Sequence, residues 1–402
     1  MKNNLLLILI FSVSIVSCSS LKRLKTVTQG DVKQEHYFEE IPFKYIKNQI
    51  VLEVSIDGNA YNFIFDTGND LTVIDYSVLE AIHYESNNVN GEISDSNGIS
   101  RESKYVSIDD LKIGNINFLD TGAYTSDLSH FYQFLGKDSY SGIIGSNLMR
   151  KAKWQIDYKN KVIRLSDNMD HFKISTEALI FKTNSGKYGD AEIKIKLNTT
   201  ENKYTFDTGY SGFVSAQLST FNTLNANNTI PYITTTGINS IGANGIMTNI
   251  KYSTLLSIQL LDILNATEQL VTFAEGDSNV LGNSFFEKFT VTLDWNNEKF
   301  YLDQNDQFEP SILEEYQVFF HPDYLKNQII IYGYENNYVL DKPIAIGTQI
   351  LAIDGVDVSH LDTQALHTYW TNRNFAKTIE IEVNENGTSR TVLLTEKQLL
   401  PK

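Results

Sequence analysis

An Asp-Thr-Gly tripeptide occurs twice in comparable surroundings, and it constrains the fold more than any other feature of this chain. It begins at Asp66 and again at Asp207, 141 positions later. Each copy directly follows a run of aromatic and β-branched residues, at 63–65 and 204–206, and each precedes another β-prone run. A carboxylate at the end of a strand, followed by a glycine that permits close backbone approach, is typical of an active-site corner.

The surroundings of the two tripeptides are duplicated as well. An apolar-apolar-Gly sequence ends at Gly145 in the first copy and at Gly282 in the second. Beyond these glycines the copies stay in register, and four pairs of residues match. The pairs are Lys151 with Lys288, Asp157 with Asp294, Asn160 with Asn297, and Leu165 with Leu302. Each copy therefore supplies half of a structure and one carboxylate, which predicts a two-lobed body.

These duplicated motifs make the chain resemble the two-lobed aspartic peptidases, most closely the bacterial retropepsin-like proteins with a C-terminal PDZ domain. The resemblance covers about residues 40–400. It implies a mostly β fold, in which a duplicated double-ψ β-barrel body of the acid-protease type is followed by an α+β PDZ domain. The implied units are an N-terminal lobe at 39–170, a C-terminal lobe at 171–306 and a PDZ-like domain at 311–402.

The resemblance also implies a role for each residue of the two tripeptides. The catalytic pair is Asp66 with Asp207. Four neighbours are expected to support this dyad: Thr67, Gly68, Thr208 and Gly209. In the family, the threonines hydrogen-bond across the lobe interface and the glycines present backbone N–H groups to the carboxylates. Asp is also common in ordinary turns, so each carboxylate taken alone has a structural interpretation as well.

Two carboxylates about 3 Å apart cannot both ionise comfortably, so they share one proton. In aspartic peptidases the ionised member takes a proton from a water molecule and the protonated member donates to the scissile carbonyl oxygen. The first copy departs from the family at Asn69 and Asp70, where Ser or Ala usually follows the glycine. Asp70 adds a nearby negative charge that can raise the pKa of the dyad. Tyr210 and Ser211 are also unusual in the second copy.

A polar, glycine-containing stretch lies between each tripeptide and its later glycine, at residues 88–103 and 234–248. In the family such a hairpin is a flap that closes over the substrate. Residues 88–103 are therefore either a flap or an ordinary surface hairpin. A third tripeptide begins at Asp120, but it lies too close to Gly145 and is not followed by an apolar strand. We predict a turn at the end of a strand there.

The first residues are typical of a processing segment. A basic start and an apolar stretch are followed by Cys18, the only cysteine of the chain, in a sequence that resembles a bacterial lipobox. This predicts a signal peptide at 1–17, a lipid on Cys18 that attaches the protein to a membrane, and a tether at 18–38. A plain signal peptide or a short anchor helix is the alternative. Either way we expect an extracytoplasmic protein of the cell envelope.

The region after the second copy has a pattern of its own. Residues 346–355 look like the PDZ segment that usually reads Gly-Asp-x-Ile, then apolar, then Asn/Asp-Gly. Asp354 and Gly355 predict a hairpin turn. The carboxylate-binding loop of PDZ domains is not obvious here, and Thr348 replaces the usual Asp. The generic use of such a domain is β-augmentation by the end or a strand of a peptide.

Composition excludes several other classes of function. The net charge of −16 over 402 residues offers no basic patch for nucleic acid. The seven His residues are scattered without metal-ligand spacing, and no Gly-x-Ser-x-Gly nucleophile motif occurs. We therefore expect neither a metal nor another cofactor. One chain carries both carboxylates, so a monomer suffices for the site.

Three hypotheses follow from the sequence. The leading one is a lipid-anchored aspartic endopeptidase that hydrolyses an extended peptide lying between the lobes. The second is a peptide-binding or scaffolding lipoprotein whose protease-like body is weakly active or inactive, as Asn69 and Asp70 suggest. The third is a hydrolase that uses the carboxylates on a glycosidic bond, which requires carboxyl groups at least about 5 Å apart.

Overall fold

A computed structural model describes residues 23–95, 98–182, 191–261, 263–338 and 342–400. The predictions for residues 1–17 and for Cys18 lie outside the described residues. Strands dominate the described part, which confirms the mostly β fold. No helix in the described ranges has the length and apolar character needed to cross a membrane.

The first half of the chain, up to residue 170, begins with helical residues 23–28 (α1). Its strands are β1 (Asp31–Val32), β2 (Phe38–Pro42), β3 (Lys44–Ile46), β4 (Gln49–Ile56), β5 (Asn59–Phe65), β6 (Thr72–Asp75), β7 (Tyr84–Ser94), β8 (Ser100–Ile113), β9 (Ile116–Ser126), β10 (Gly142–Ile144), β11 (Lys153–Asp157) and β12 (Val162–Ser166). Its further α-helices are α2 (Tyr76–Leu79), α3 (Ser129–Leu135) and α4 (Ser146–Met149).

The second half repeats this plan and then continues into a third unit. Residues 171–306 contain β13 (Leu179–Lys182), β14 (Glu192–Leu197), β15 (Thr200–Phe206), β16 (Val214–Gln217), α5 (Leu218–Leu224), β17 (Ile233–Gly242), β18 (Gly245–Leu260), β19 (Leu264–Ala274), β20 (Val280–Leu281), α6 (Asn283–Phe286), β21 (Phe289–Asp294) and β22 (Lys299–Gln304). Beyond them lie β23 (Glu314–Glu315), β24 (Val318–Asp323), β25 (Gln328–Glu335), β26 (Gln349–Ile353), β27 (Val356–Asp357), α7 (Thr363–Asn372), β28 (Thr378–Glu385), β29 (Thr388–Thr395) and β30 (Lys397–Gln398).

The two copies meet in a six-stranded sheet with the order β13-β22-β21-β11-β12-β2. Its central strands, β11 and β21, are equivalent strands of the two copies and pair antiparallel with each other. The matched Asp and Asn residues form the same turn in both copies. Asn160 Nδ2 donates to Asp157 Oδ2 at 2.9 Å, and Asn297 Nδ2 donates to Asp294 Oδ2 at 2.6 Å. The sequence duplication is therefore a structural duplication around this sheet.

Local turn chemistry explains why the strands before the first Asp fold as a hairpin. Asp57 and Gly58 connect β4 to β5 with φ values of 52° and 80°. Positive φ at both central residues is what a two-residue hairpin turn requires, and Asp-Gly supplies it at little cost. Asp354 and Gly355 have φ values of 49° and 74° between β26 and β27, so the predicted second hairpin turn is confirmed too.

The N-terminal segment, residues 23–38, packs on the first lobe and is not a free tether over its described length. β1 pairs with β9, and Thr26 is buried. The guanidinium of Arg23 donates from Nη2 to the Tyr105 hydroxyl at 3.0 Å. Polar composition alone did not reveal this docking, because it relies on backbone pairing and single contacts instead of an apolar face.

The third tripeptide is placed differently from the sequence-based expectation. Asp120 and Gly122 lie inside β9 and not in a turn at the end of a strand, although Asp120 has a φ of 50°. A Cβ atom on Gly122 would lie 1.7 Å from the carbonyl oxygen of Thr26. Glycine is thus needed here because the N-terminal segment crosses the strand at that point.

The C-terminal domain, residues 314–400, has a hydrophobic core of its own around Ile331, Ile353 and Leu366. Its strand β25 also pairs antiparallel with β17 of the second copy, so the two share one continuous sheet. Helix α3 of the first copy contacts the domain from another side, where Tyr324 N donates to the carbonyl oxygen of Gln133 at 2.8 Å. The domain therefore contacts both copies.

Candidate active site

The two carboxylates are delivered by equivalent strand ends. Asp66 follows β5 and Asp207 follows β15, and each strand runs parallel to the short strand that precedes the later glycine, β10 or β20. Asp66 N donates to Ile144 O at 3.1 Å, and Asp207 N donates to Leu281 O at 3.0 Å. The backbone at both corners is held by the downstream half of its own copy, which explains why both motifs recur together.

The two threonines form a symmetric set of buried hydrogen bonds across the lobe interface. Thr67 Oγ1 donates to Phe206 O at 2.6 Å, and Thr208 Oγ1 donates to Phe65 O at 2.7 Å. Each hydroxyl also accepts the backbone N–H of the other threonine at 3.0 Å. Both threonines are fully buried. Their pairing fixes one corner relative to the other.

The two glycines bring each corner against the carboxylate of the opposite copy. A Cβ atom on Gly68 would lie 2.6 Å from Cγ of Asp207, and one on Gly209 would lie 2.3 Å from Cγ of Asp66. Gly68 N donates to Oδ1 of Asp66 at 2.8 Å, and Gly209 N donates to Oδ1 of Asp207 at 2.8 Å. Only glycine leaves room for two carboxyl groups to approach so closely.

The electrostatics of the pair follow from this proximity. Burial raises the pKa of Asp207, while hydrogen bonds from the Asp66 carboxyl and from the N–H groups of Gly209 and Tyr210 act in the opposite direction. A hydrogen bond between two carboxyl groups requires a proton on one of them. The two acids therefore lie close enough to influence each other's protonation.

The residues after each tripeptide support the corners in ways that the sequence did not reveal. The side chain of Asn69 hydrogen-bonds the Tyr124 hydroxyl, which lies close enough to Asp66 for the two charges to interact. Asp70 is exposed, and it is not among the causes of the raised pKa of Asp207. In the second copy, Tyr210 N donates to Oδ1 of Asp207 at 3.1 Å. Tyr124 carried no recognisable sequence signal.

A groove of about 960 Å³, measured up to its open mouth, lies over the carboxylates. Two hairpins cover it: the first hairpin, β7–β8, contributes Ser94 and Asp95, and the second hairpin, β17–β18, contributes residues 240–243. The described parts of 88–103 and 234–248, which were singled out in the sequence, therefore belong to two hairpins that line the groove. Such coverage is what the flap interpretation predicts for residues 88–103.

The second hairpin is tied to the first copy at its tip. Asn244 is fully buried, and its Nδ2 donates to Ile93 O at 2.8 Å and to Ile99 O at 2.9 Å. Its backbone N donates to Oδ2 of Asp95 at 3.0 Å. Nε2 of His130 lies 2.7 Å from Gly242 O. These polar contacts join the second hairpin to the first copy beside the groove.

The comparisons with known proteins agree with the geometry of the first copy. A family model described as aspartyl protease matches residues 52–148. This stretch is an aspartyl-protease-like region. It includes Asp66, Gly68, the first hairpin and Gly145, but not the second corner. No curated protein matches the chain. Within the described ranges, no three His, Cys, Asp or Glu side chains are grouped as metal ligands.

Proposed function

We propose that this chain is an aspartic endopeptidase in which Asp66 and Asp207 form a shared-proton dyad. The observation that carries the proposal is the close contact of each glycine with the opposite carboxylate, at 2.6 Å and 2.3 Å for an added Cβ. Together with the aspartyl-protease match at residues 52–148, it supports peptide hydrolysis at the floor of the groove.

The proposed reaction needs only the two carboxyl groups and a water molecule. The ionised carboxylate removes a proton from water, and the resulting hydroxide oxygen attacks the scissile carbonyl carbon. The protonated carboxyl donates its proton to the carbonyl oxygen, which gives a neutral tetrahedral diol. Collapse of this diol breaks the C–N bond, the amine leaves with a proton from one carboxyl of the dyad, and a hydroxyl proton of the diol passes to the other carboxylate, which restores the shared proton. Acid and base are roles of the pair and are not assigned to single residues.

The close pair also weighs against the glycosidic alternative. Glycoside hydrolysis requires carboxyl groups about 5 Å or more apart, so that a nucleophile or a water molecule fits with the sugar between them. Asp66 and Asp207 each pack against the glycine beside the other acid, at 2.3 Å and 2.6 Å from an added Cβ, and such close packing does not resemble a widely spaced pair.

The remaining parts of the proposal concern fold and location. We propose that the two copies form a double-ψ β-barrel body and that residues 311–402 form a PDZ-like domain that recruits an extended peptide strand. The lipobox-like sequence at Cys18 supports a lipid anchor and an extracytoplasmic position at the cell envelope. Mass spectrometry of the mature protein, which would show a diacylglycerol on Cys18, tests this anchor.

Cleavage of a peptide library across a range of pH tests the activity. Asp66→Asn and Asp207→Asn should each lower kcat/KM at least about 100-fold, because either change removes the shared proton. Asp120→Asn is the matched control, since it alters the exposed Asp of the third Asp-Thr-Gly tripeptide, in β9. If wild type and all three variants leave the peptides equally intact, the chain is a peptide-binding protein with a protease-like body, and the peptidase proposal is wrong.

A further inference from the structure

The two walls of the groove differ in chemistry. On the side of the first copy, the groove is lined by the buried side chains of Ile64, Phe131 and Ile143. On the side of the second copy it is lined by two charged side chains of opposite sign, Lys251 and Asp277. The first copy also contributes Asp95, and the second also contributes Ile241 and Val280, so what distinguishes the second side is a lysine near an aspartate.

Asp277 is held in place by a buried hydroxyl group. Ser215 Oγ donates to Oδ2 of Asp277 at 2.7 Å, and Ser215 is only 5% exposed. The Ser215 hydroxyl lies 3.4 Å from Thr272 Oγ1, which in turn lies 3.4 Å from the Tyr210 hydroxyl. Because the backbone of Tyr210 also donates to Asp207, this polar chain extends directly from the dyad. Asp277 is thus fixed beside the reacting centre.

Lys251 is fixed from the opposite direction by the second hairpin. Its Nζ donates to Asn239 O at 2.7 Å. The pairing of β17 with β18 shifts register between Ile238 and Ser240, so Asn239 sits in a bulge. Bulges commonly turn a backbone group out of its strand, and here the exposed carbonyl holds the ammonium group. Burial lowers the pKa of Lys251, and the charge of Asp277 acts in the opposite direction.

The two charges interact without forming an ion pair. Among the described residues, no carboxylate oxygen lies within 4.0 Å of Lys251 Nζ. Space thus remains between a group that only donates hydrogen bonds and a group that only accepts them. A carboxylate placed there would be repelled by Asp277, and an ammonium group would be repelled by Lys251. A neutral group that accepts from the lysine and donates to the aspartate satisfies both.

We infer that Lys251 and Asp277 form a specificity subsite for a neutral amide side chain, Gln or Asn, on one side of the scissile bond. An apolar residue occupies the other side, against the first copy. The inference rests on the proposed peptidase function and adds its substrate class. Lys251 and Asn239 both belong to the second hairpin, whereas Asp277 lies in the loop after β19, so the subsite is complete only when that hairpin is closed over the groove.

Cleavage-site profiling of the full chain with a peptide library tests the subsite. Wild type should favour Gln and Asn at one position next to the scissile bond. Asp277→Asn leaves the lysine uncompensated and should shift the preference at that position toward Glu and Asp by about tenfold. Lys251→Met should shift it toward Lys and Arg by a similar factor. Shifts in opposite directions at the same substrate position would show that Lys251 and Asp277 contact the same substrate side chain.

Two exposed residues outside the groove provide matched controls. Asp109→Asn and Lys299→Met make the same chemical changes and should leave the preference as in wild type. If Asp277→Asn and Lys251→Met also keep the wild-type preference, or if wild type favours an apolar residue at both positions, the subsite assignment is wrong.

A binding measurement separates this inference from the proposed activity. Peptides in which the scissile amide is replaced by a hydroxyethylene group resist hydrolysis, and their binding can be followed by fluorescence anisotropy. The same opposite shifts in Kd between Gln-, Glu- and Lys-containing peptides are expected. Such shifts without cleavage of any library peptide would refute the activity and keep the subsite, whereas cleavage without such shifts would refute the subsite alone.

Discussion

The two copies of the duplicated half-structure share one plan, but they differ in what supports them and in the side chains that line the groove. At the floor of the groove, Thr67 and Thr208 make the same bonds with nearly the same lengths. Above the floor, the first copy is braced by the N-terminal segment, and the second copy shares a sheet with the C-terminal domain through β17 and β25. The walls differ too: the first copy contributes the buried side chains of Ile64, Phe131 and Ile143, and the second contributes Lys251 and Asp277.

This difference shows which part of a duplicated site must stay symmetric. If the two acids share a proton as proposed, their corners must stay close together, and the reciprocal threonine bonds hold them so. The walls of the groove and the segments that support each copy would take no part in proton sharing, so they are free to diverge. Under the proposed function, a peptide, whose two ends differ, would meet walls that differ as well.

The largest loss of stability is expected for substitutions of Thr67 and Thr208 at the floor of the groove. Thr67→Val and Thr208→Val each remove a buried hydroxyl and leave one carbonyl and one N–H without partners. Each variant should lower the free energy of unfolding by about 2–5 kcal/mol, and the two losses should be equal within error. Denaturant unfolding measures them, and Thr67→Ser and Thr208→Ser, which keep the hydroxyl, are the controls. Clearly unequal losses would show that the floor is not symmetric.

The next largest effect on stability is expected for His321, which lies at the contact between the C-terminal domain and the first copy. Burial lowers the pKa of His321, which packs near the rings of Phe134 and Trp370, to about 4. The fold therefore binds fewer protons than the unfolded chain between pH 6.5 and about 4, and this contribution to stability is present above pH 6.5 and is lost as pH falls through that window. The loss amounts to at most about 3 kcal/mol.

Thermal unfolding of wild type and His321→Phe across this pH range isolates the contribution of His321. The Phe variant keeps an aromatic ring in the site and cannot be protonated. The difference in Tm between the two proteins should change in favour of the variant as pH falls from 6.5 to 4 and then level off. A constant difference over this range would contradict the buried position of the imidazole.

The smallest losses of stability are expected for two glycines. Gly237 lies where the second copy meets the C-terminal domain, and Gly122 lies where the first copy meets the N-terminal segment. A Cβ on Gly237 would lie 2.3 Å from Tyr332 O in the sheet shared with the C-terminal domain, and one on Gly122 would lie 1.7 Å from Thr26 O in the N-terminal segment. Gly237→Ala and Gly122→Ala should each cost about 1–3 kcal/mol through overpacking. Hydrogen exchange should increase in β25 for the first variant and in β1 for the second.

The two alanine variants also sharpen the comparison between the copies. Gly58→Ala is a control with open space around the added methyl, although its positive φ carries a small cost of its own. If Gly122→Ala loosens β25, or Gly237→Ala loosens β1, the two supports are coupled through the body. In that case the N-terminal segment and the C-terminal domain do not stabilise the two copies independently, and it is wrong to assign each of them to one copy alone.

Much of the fold and of the site was present in local sequence. Asp57 with Gly58 and Asp354 with Gly355 predicted hairpin turns because positive φ at two successive positions has few chemical solutions. The duplicated motifs predicted two equivalent corners, because each Asp-Thr-Gly is followed at a similar distance by an apolar-apolar-Gly sequence. The hairpin predictions depend on residues a few positions apart, where covalent connection limits the possible arrangements.

Tertiary structure alone decided what lies around those corners. The third tripeptide at Asp120 has the same letters, yet its glycine serves to let Thr26 pass. Lys251 and Asp277 are ordinary residues in the sequence, 26 positions apart, and become a pair only because β18 and the loop after β19 meet beside the dyad. The sequence by itself determined the two acids and their turns. Long-range packing determined the walls of the groove, the position of the two hairpins over it and the segments that pack on each copy. These features depend on contacts between residues far apart in sequence, which no local pattern predicts.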